Sequence, residues 1–381
     1  MRIAIVTETW PPEINGVALT VQALALGLVA QGHSVEVIRP RVQADLVRDH
    51  PARVCNEIPV PGARVPRYPM LRFGLPAGRL LQRRWQSATP DVLYVATEGP
   101  LGWSALAIAR KFGIPVSSGF HTRFDDFAGH YGLGLLAPAV LSYLRRFHNR
   151  AQATLVPTAE LAALLEHGGF QNVRVLRRAV DVELFHPLRR DSSLRASWGV
   201  GATDPVVLQV GRIAPEKNLA LAVRAFRAIQ RRQPRARLVM VGDGPDRAAL
   251  AAQNPDVVFA GTLRGEDLAR CYASADVFLF PSLTETFGNV TLEAMASGLA
   301  VIAFDYAAAR EMIVDASCGV RVPFGDADAF VAAALALACD AGCRARMRSC
   351  ARAAAESMSS PQQVSACFAE LLESLMLREA A

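Results

Sequence analysis

Short apolar runs, each closed by a polar or glycine-bearing turn and followed by a helical stretch, recur along both halves of this chain. They cover residues 2–7, 34–38, 91–96, 115–119 and 153–156, then 205–210, 237–241, 257–260 and 276–280. A strand that is apolar throughout must be buried on both faces, and the helices between the strands supply the cover. The pattern therefore predicts α/β architecture with a doubly wound parallel sheet in each half. Ligands of such sheets bind beyond the carboxyl ends of the strands, so the turns at those ends are where chemistry is expected.

The most informative turn lies in residues 281–304, PSLTETFGNVTLEAMASGLAVIAF. Between Thr286 and Phe304 the one charge is Glu293, which a polar partner must meet if it is buried. Gly288 and Asn289 open a helix whose free N–H groups and positive dipole end form an anion seat. Glu293 falls one turn further on the same face, roughly 6 Å along the axis. A ligand with phosphates at the tip and a hydroxylated ring beside the first turn fits both, and Glu285 then faces the other end of the phosphates. The competing reading makes Glu285 a solvated loop residue and Glu293 a salt-bridged helix residue.

Other strand-end turns carry charge too. Arg212 and Lys217 flank GRIAPEKN, in a chain with 39 arginines and two lysines, Lys111 and Lys217. An ammonium suits one phosphate oxygen and a guanidinium clamps two, while an exposed helix-start pair is the plainer alternative. Glu98 follows the run 91–96, and His121 follows 115–119 in FHTRFDD. Gly16, in WPPEINGV, stands where a strand passes to a helix and lets a ligand approach the backbone. The dinucleotide fingerprint GxGxxG is absent there.

A chain of 381 residues, 51% hydrophobic and 20% charged, suits a folded protein of two domains. We expect a first domain over 1–186, a second over 187–360 after the linker RRAVDVELFHP, and a final helix in 361–381. The opening apolar run ends at Thr7, too short for a signal peptide or a membrane span, so the cytoplasm is the expected compartment. Residues 1–188 hold 20 basic against 14 acidic side chains, and residues 189–381 hold 21 of each. The first half thus carries all the excess, densest at Arg64, Arg67, Arg72, Arg79, Arg83 and Arg84 among Tyr68, Phe73, Leu80, Leu81 and Trp85. That mixture suits an anionic membrane surface or an acidic acceptor, with a solvated helix face as the alternative; no recognition motif points to nucleic acid. The seven cysteines form no CxxC pair. The one DxD, Asp326 to Asp328, precedes a helix and reads as a cap rather than a metal site.

GRIAPEKN, VGDGP and ETFGNVTLEAMASG together resemble the retaining glycosyltransferases of family 4, the group 1 glycosyl transferases. The NGV turn and FHTRF are similar to the amino-terminal half of the same family, so the resemblance spans about residues 1–360. TEGPLG, SGFHTRF and VPT look most like its GDP-mannose-dependent α-mannosyltransferases and sulfoquinovosyl-lipid synthases. The chain departs at RRAVD, where Ala179 stands at the family's glycine.

The resemblance implies a GT-B fold: two Rossmann-like domains facing across a cleft, with the last helix crossing back to the first. It further implies a metal-independent, retaining hexosyltransferase with no cofactor beyond its GDP- or UDP-linked sugar. Carried over, Arg212 and Lys217 grip the diphosphate, backbone groups near Phe287, Gly288 and Asn289 touch phosphate and sugar, Glu285 binds the sugar and Glu293 the ribose. Gly16 closes on the phosphates, His121 lies near the reacting carbon, Leu263 borders the base and Glu98 is on the acceptor side. The expected reaction moves a hexose, mannose first, to a lipid or glycan. A UDP-sugar-dependent glucosyl or sulfoquinovosyl transferase, a nucleotide-sugar epimerase or hydrolase of this fold, and a non-catalytic sugar-binding protein are the alternatives. Membrane contact through the 64–84 stretch is a further expectation.

Overall fold

The computed structural model describes residues 1–13, 15–42, 55–65, 68–121 and 137–379. Their contacts divide the chain into two units. The first runs to Arg178 and takes the chain back from Pro361; the second is Ala179–Ser360.

The first unit holds seven parallel strands: β1 (Arg2–Val6), β2 (Ser34–Pro40), β3 (Asn56–Val60), then, past a hairpin of β4 (Gly62–Val65) and β5 (Tyr68–Gly74), β6 (Val92–Val95), β7 (Val116–Gly119), β8 (Ala153–Val156) and β9 (Val173–Val175). Their order is β3-β2-β1-β6-β7-β8-β9, so the winding reverses beside β1, where Ile3 pairs with Val35 on one side and Val92 on the other. After β1, the Asn15 side chain accepts from Ala18 N and caps the helix Gly16–Ala30. That helix packs against the last one, Pro361–Glu379, and Gly27 makes the approach close: a Cβ there would sit 2.4 Å from the Ser365 Cβ.

The second unit is a six-stranded parallel sheet of β10 (Val206–Val210), β11 (Arg237–Val241), β12 (Val258–Gly261), β13 (Val277–Phe280), β14 (Ala300–Phe304) and β15 (Val320–Val322), ordered β12-β11-β10-β13-β14-β15. All of β10 is buried, Gln209 included, as a strand apolar at its other four positions requires. Val206, Leu208 and Val210 pack with Leu292 and Met295 on one face, and Val207 with Phe226 and Phe330 on the other. The sheet reverses between β10 and β13, so the turns that follow these two strands mark its switch point.

Two expectations shift. The division falls at Arg178, ahead of the predicted 187, because Val180 and Phe185 join the second unit's core. There the Phe185 ring meets Tyr272 edge-on at 5.6 Å. The arginine-rich stretch is the β4–β5 hairpin followed by the helix Gly78–Ser87, which buries Leu81 and Trp85. Arg84 and the Trp85 indole both bond to Glu36, at 2.8 and 3.0 Å. Arg79 and Arg83 stay exposed, as do Leu75 and Leu80. Arg67 and the side chains of Arg64 and Tyr68 lie outside the described residues. Among the described residues no helix is long and apolar enough to cross a membrane.

Candidate active site

At the switch point of the second unit the two strand-end turns come together. Beyond β10, Lys217 donates to Glu285 Oε1 of the turn beyond β13, and the same oxygen accepts from Ser282 Oγ at 2.8 Å. Glu285 Oε2 has no partner among the described residues. The Lys217 ammonium stands 5.9 Å from the Phe280 ring centre, and Gly288 adjoins both Phe280 and Glu285. Gly288 is left-handed at φ +95°, where a Cβ would meet the Phe280 ring at 3.0 Å, so the turn requires glycine on both counts. It begins the helix Asn289–Ala296, which receives no side-chain cap. Arg212 is bound to Glu216, Nε donating at 3.0 Å. Burial raises the Glu216 carboxyl, but the Arg212 bonds outweigh it and leave it below its ordinary value. The spacing of Arg212 and Lys217 predicts two cations ready for a diphosphate; the fold gives each a carboxylate that holds it in place.

The helix places Glu293 as the apolar run predicts, with a polar partner. The hydroxyl of Tyr272, wholly buried, donates to Glu293 Oε2 at 2.9 Å. Burial pushes the Glu293 carboxyl up to about 7, against the lowering effect of this bond. Phe287 turns its side chain into the core and its carbonyl accepts from Ala308 N at 2.9 Å, so neither is offered to a ligand. Leu263 is half-buried at the rim of the same core and lines, with Trp198, Asp267 and Arg270, a cavity of about 230 Å³. The VGDGP glycines are structural: a Cβ on Gly242 would fall 1.9 Å from the Gly211 carbonyl oxygen, so they let two strand-end loops touch.

In the first unit, a Cβ on Gly16 would meet nothing within 4 Å among the described residues, and its φ is not left-handed. Glu98 is where the strand-end rule predicts but points inward: it is 6% exposed and bonded at 3.2 Å to the fully buried His148, whose other nitrogen meets Ser118 Oγ at 2.8 Å. Its acceptor-side assignment is corrected on that ground. Glu8, which sequence reasoning missed, sits beside it. Glu8 Oε1 accepts from Leu101 N at 3.0 Å, and burial, with Glu98 adding, pushes its carboxyl up to about 7. It follows β1 as Glu98 follows β6, so the same rule applied to the first strand reaches it. His121 is held between Tyr94 Oη, 2.7 Å from Nε2, and Arg178 Nη2, 2.8 Å from Nδ1. Gly119 makes that approach possible, since a Cβ there would lie 2.2 Å from Tyr94 Oη. The residues after His121 in FHTRFDD lie outside the described set.

Asp326 caps its helix through Ala329 N at 2.9 Å, and Asp328 pairs with Arg224. Among the described residues no group of three or more His, Cys, Asp or Glu could hold a metal.

Comparison with known proteins fits this geometry. A family profile described as "Glycosyltransferase Family 4" matches residues 14–184, and one described as "Glycosyl transferases group 1" matches 204–340. A GDP-mannose-dependent alpha-mannosyltransferase of Mycobacterium tuberculosis is 36% identical over 86% of this chain and 85% of its own length. The chain belongs to glycosyltransferase family 4. It is accordingly a hexosyltransferase. The namesake mannosyltransferase of Mycolicibacterium smegmatis is 37% identical, with 87% and 86% covered, and the sulfoquinovosyl transferase SQD2 of Arabidopsis thaliana is 37% identical over 56% of this chain and 42% of its own. Sucrose-phosphate synthase from Thermosynechococcus elongatus superposes with a TM-score of 0.84 at 20% identity, covering 99% of both chains. HepE of Anabaena, solved with UDP, gives 0.77 at 19%, covering 98% and 100%. These place this family 4 enzyme in the GT-B fold, as its two Rossmann-like sheets require.

Proposed function

We propose that this family 4 enzyme transfers mannose from GDP-mannose to a lipid or glycan hydroxyl, with retention of configuration and without a metal. The observation that carries the reading is the Lys217–Glu285 pair beside an uncapped helix N-terminus at the sheet's switch point. Cleavage of the anomeric C–O bond sends its electron pair to the β-phosphate oxygen. Lys217, Arg212 and the N–H groups after Gly288 meet that charge, fixed in advance and therefore effective. The acceptor oxygen bonds to the same face of the anomeric carbon and its proton passes to the leaving phosphate, so no protein base is assigned. Glu285 Oε2 takes a sugar hydroxyl, Glu293 the ribose hydroxyls, and Leu263 borders the base. Bare backbone at Gly16 accepts close approach of phosphate, and His121 serves the reacting sugar.

GDP-mannose is placed first because the mannosyltransferase relatives match nearly the whole chain. A UDP-linked glucose or sulfoquinovose donor is the second reading, supported by SQD2 and by an alpha-monoglucosyldiacylglycerol synthase of Acholeplasma laidlawii, 30% identical over 79% of this chain. Exposed Arg79 and Arg83 with Leu75 and Leu80 suit an anionic bilayer, which would bring a lipid acceptor within reach. The test supplies GDP-mannose or UDP-glucose with diacylglycerol in anionic vesicles, with EDTA, and measures glycolipid and released nucleotide. Mannolipid formed only from GDP-mannose supports the reading; product from UDP-glucose alone moves the second reading to first place. Nucleotide release without any acceptor would contradict transfer.

A further inference from the structure

Both ring nitrogens of His121 are engaged within the first unit. Nδ1 lies 2.8 Å from Nη2 of Arg178, and Nε2 lies 2.7 Å from Oη of Tyr94. A guanidinium has donors and no acceptor, so Nδ1 must be the accepting nitrogen. The one ring proton is then on Nε2, which donates to the Tyr94 oxygen. We infer that Arg178, the last residue of the first unit, is a positioning residue that holds His121 as the neutral Nε2–H tautomer with its ring fixed. The inference rests on the reading of His121 as a group at the reacting sugar.

The surroundings agree. Tyr94 comes from β6 and is wedged by Phe368 of the last helix, ring centres 5.0 Å apart, so the acceptor of the Nε2 proton is itself immobile. Gly119 removes the Cβ that would fall 2.5 Å from Nε2. Among the described residues, the ionisable groups facing the ring are Tyr94, Arg178 and, from the helix Ala137–His148, His148. Burial first, then the charges of Arg178 and His148, hold the ring's basicity well below its ordinary value. A second proton would have to enter on Nδ1, against a cationic donor. His121 therefore presents substrate with ring edges rather than a proton or a lone pair, consistent with transfer in which the leaving phosphate takes the acceptor's proton.

The test is nitrogen NMR of the full chain with labelled histidine, alongside kcat and donor KM against pH. The wild type is expected to show His121 as Nε2–H, with no titration through the range in which an ordinary histidine takes up its proton. In Arg178→Met the ring is expected to titrate about one pH unit or more higher, and kcat to acquire a matching acid limb while donor KM holds. Arg178→Lys, which restores a donor, is expected to remove that limb. A wild-type Nδ1–H ring, or identical titration and pH profiles in Arg178→Met, overturns the inference. Should that variant not fold, Tyr94→Phe keeps Arg178 in place, and its ring must still have Nδ1 unprotonated; a protonated Nδ1 there would overturn it equally. Undiminished transfer in His121→Ala would instead sink the reading of His121 as a substrate group and leave the tautomer result standing.

Discussion

Replacing Glu293 by Gln is expected to stabilise the protein above neutral pH while weakening nucleotide binding. The carboxyl is raised from 4.5 to about 7 because burial disfavours its charge and only the Tyr272 hydroxyl compensates. A folded-state pKa above the unfolded one means that stability is full below about pH 4.5 and falls as the pH climbs through about 7. The shift of about 2.5 units sets an upper bound of about 3 kcal/mol on that loss. Gln cannot ionise, yet its amide oxygen can still accept from Tyr272. Urea unfolding should therefore find the variant within about 0.5 kcal/mol of wild type at pH 4 and more stable by up to about 3 kcal/mol at pH 8.5. If the ribose hydroxyls donate to the ionised carboxylate, the same change costs roughly 1.5–3 kcal/mol of nucleotide affinity at pH 8.5. Equal destabilisation at both pH values would refute the argument, because it would mean the site needs the carboxylate's shape rather than suffering its charge.

Glu98→Ala removes the carboxylate that meets buried His148 and should lower the unfolding free energy by about 1–3 kcal/mol without changing acceptor KM; a change confined to acceptor KM would restore Glu98 to the acceptor side. Gly119→Ala forces a Cβ against Tyr94 and His121, and calorimetric melting should show a loss of about 1–3 kcal/mol together with lost transfer. Gly27→Val should separate the helices Gly16–Ala30 and Pro361–Glu379, read as faster amide exchange in the last helix; unchanged protection would mean that the contact bears little of the packing. Arg79→Glu with Arg83→Glu should reduce sedimentation with anionic vesicles and leave transfer to a water-soluble acceptor unaltered.

What could be read from the sequence was whatever announced itself locally. Strands buried on both faces, such as β10, β13 and β14, are apolar but for Gln209 of β10, and the charges in the segments beside them stand out against such runs. Lys217, Glu285 and Glu293 were visible for that reason. β3, NEIPV, buries only Val60 and gives no such run, so it and the hairpin after it went unseen. Side-chain partners were the larger gap. Glu98 and His148 are 50 residues apart, His121 and Arg178 are 57, and Tyr272 and Glu293 are 21, so no local pattern tells that a strand-end carboxylate turns inward or that a histidine is held from both sides. The domain boundary moved for a related reason: RRAVDVELF looks like a linker, yet Val180 and Phe185 are core residues once the fold brings Tyr272 to them.

The most direct test is calorimetric titration of GDP and of UDP into the wild-type protein in EDTA, repeated on Lys217→Ala. The account predicts that GDP binds with clear preference and that the substitution weakens it by roughly tenfold or more, the worth of one charge-assisted phosphate contact. Binding of neither nucleotide, or equal GDP affinity with and without Lys217, would contradict the assignment of the donor to the second unit's switch point.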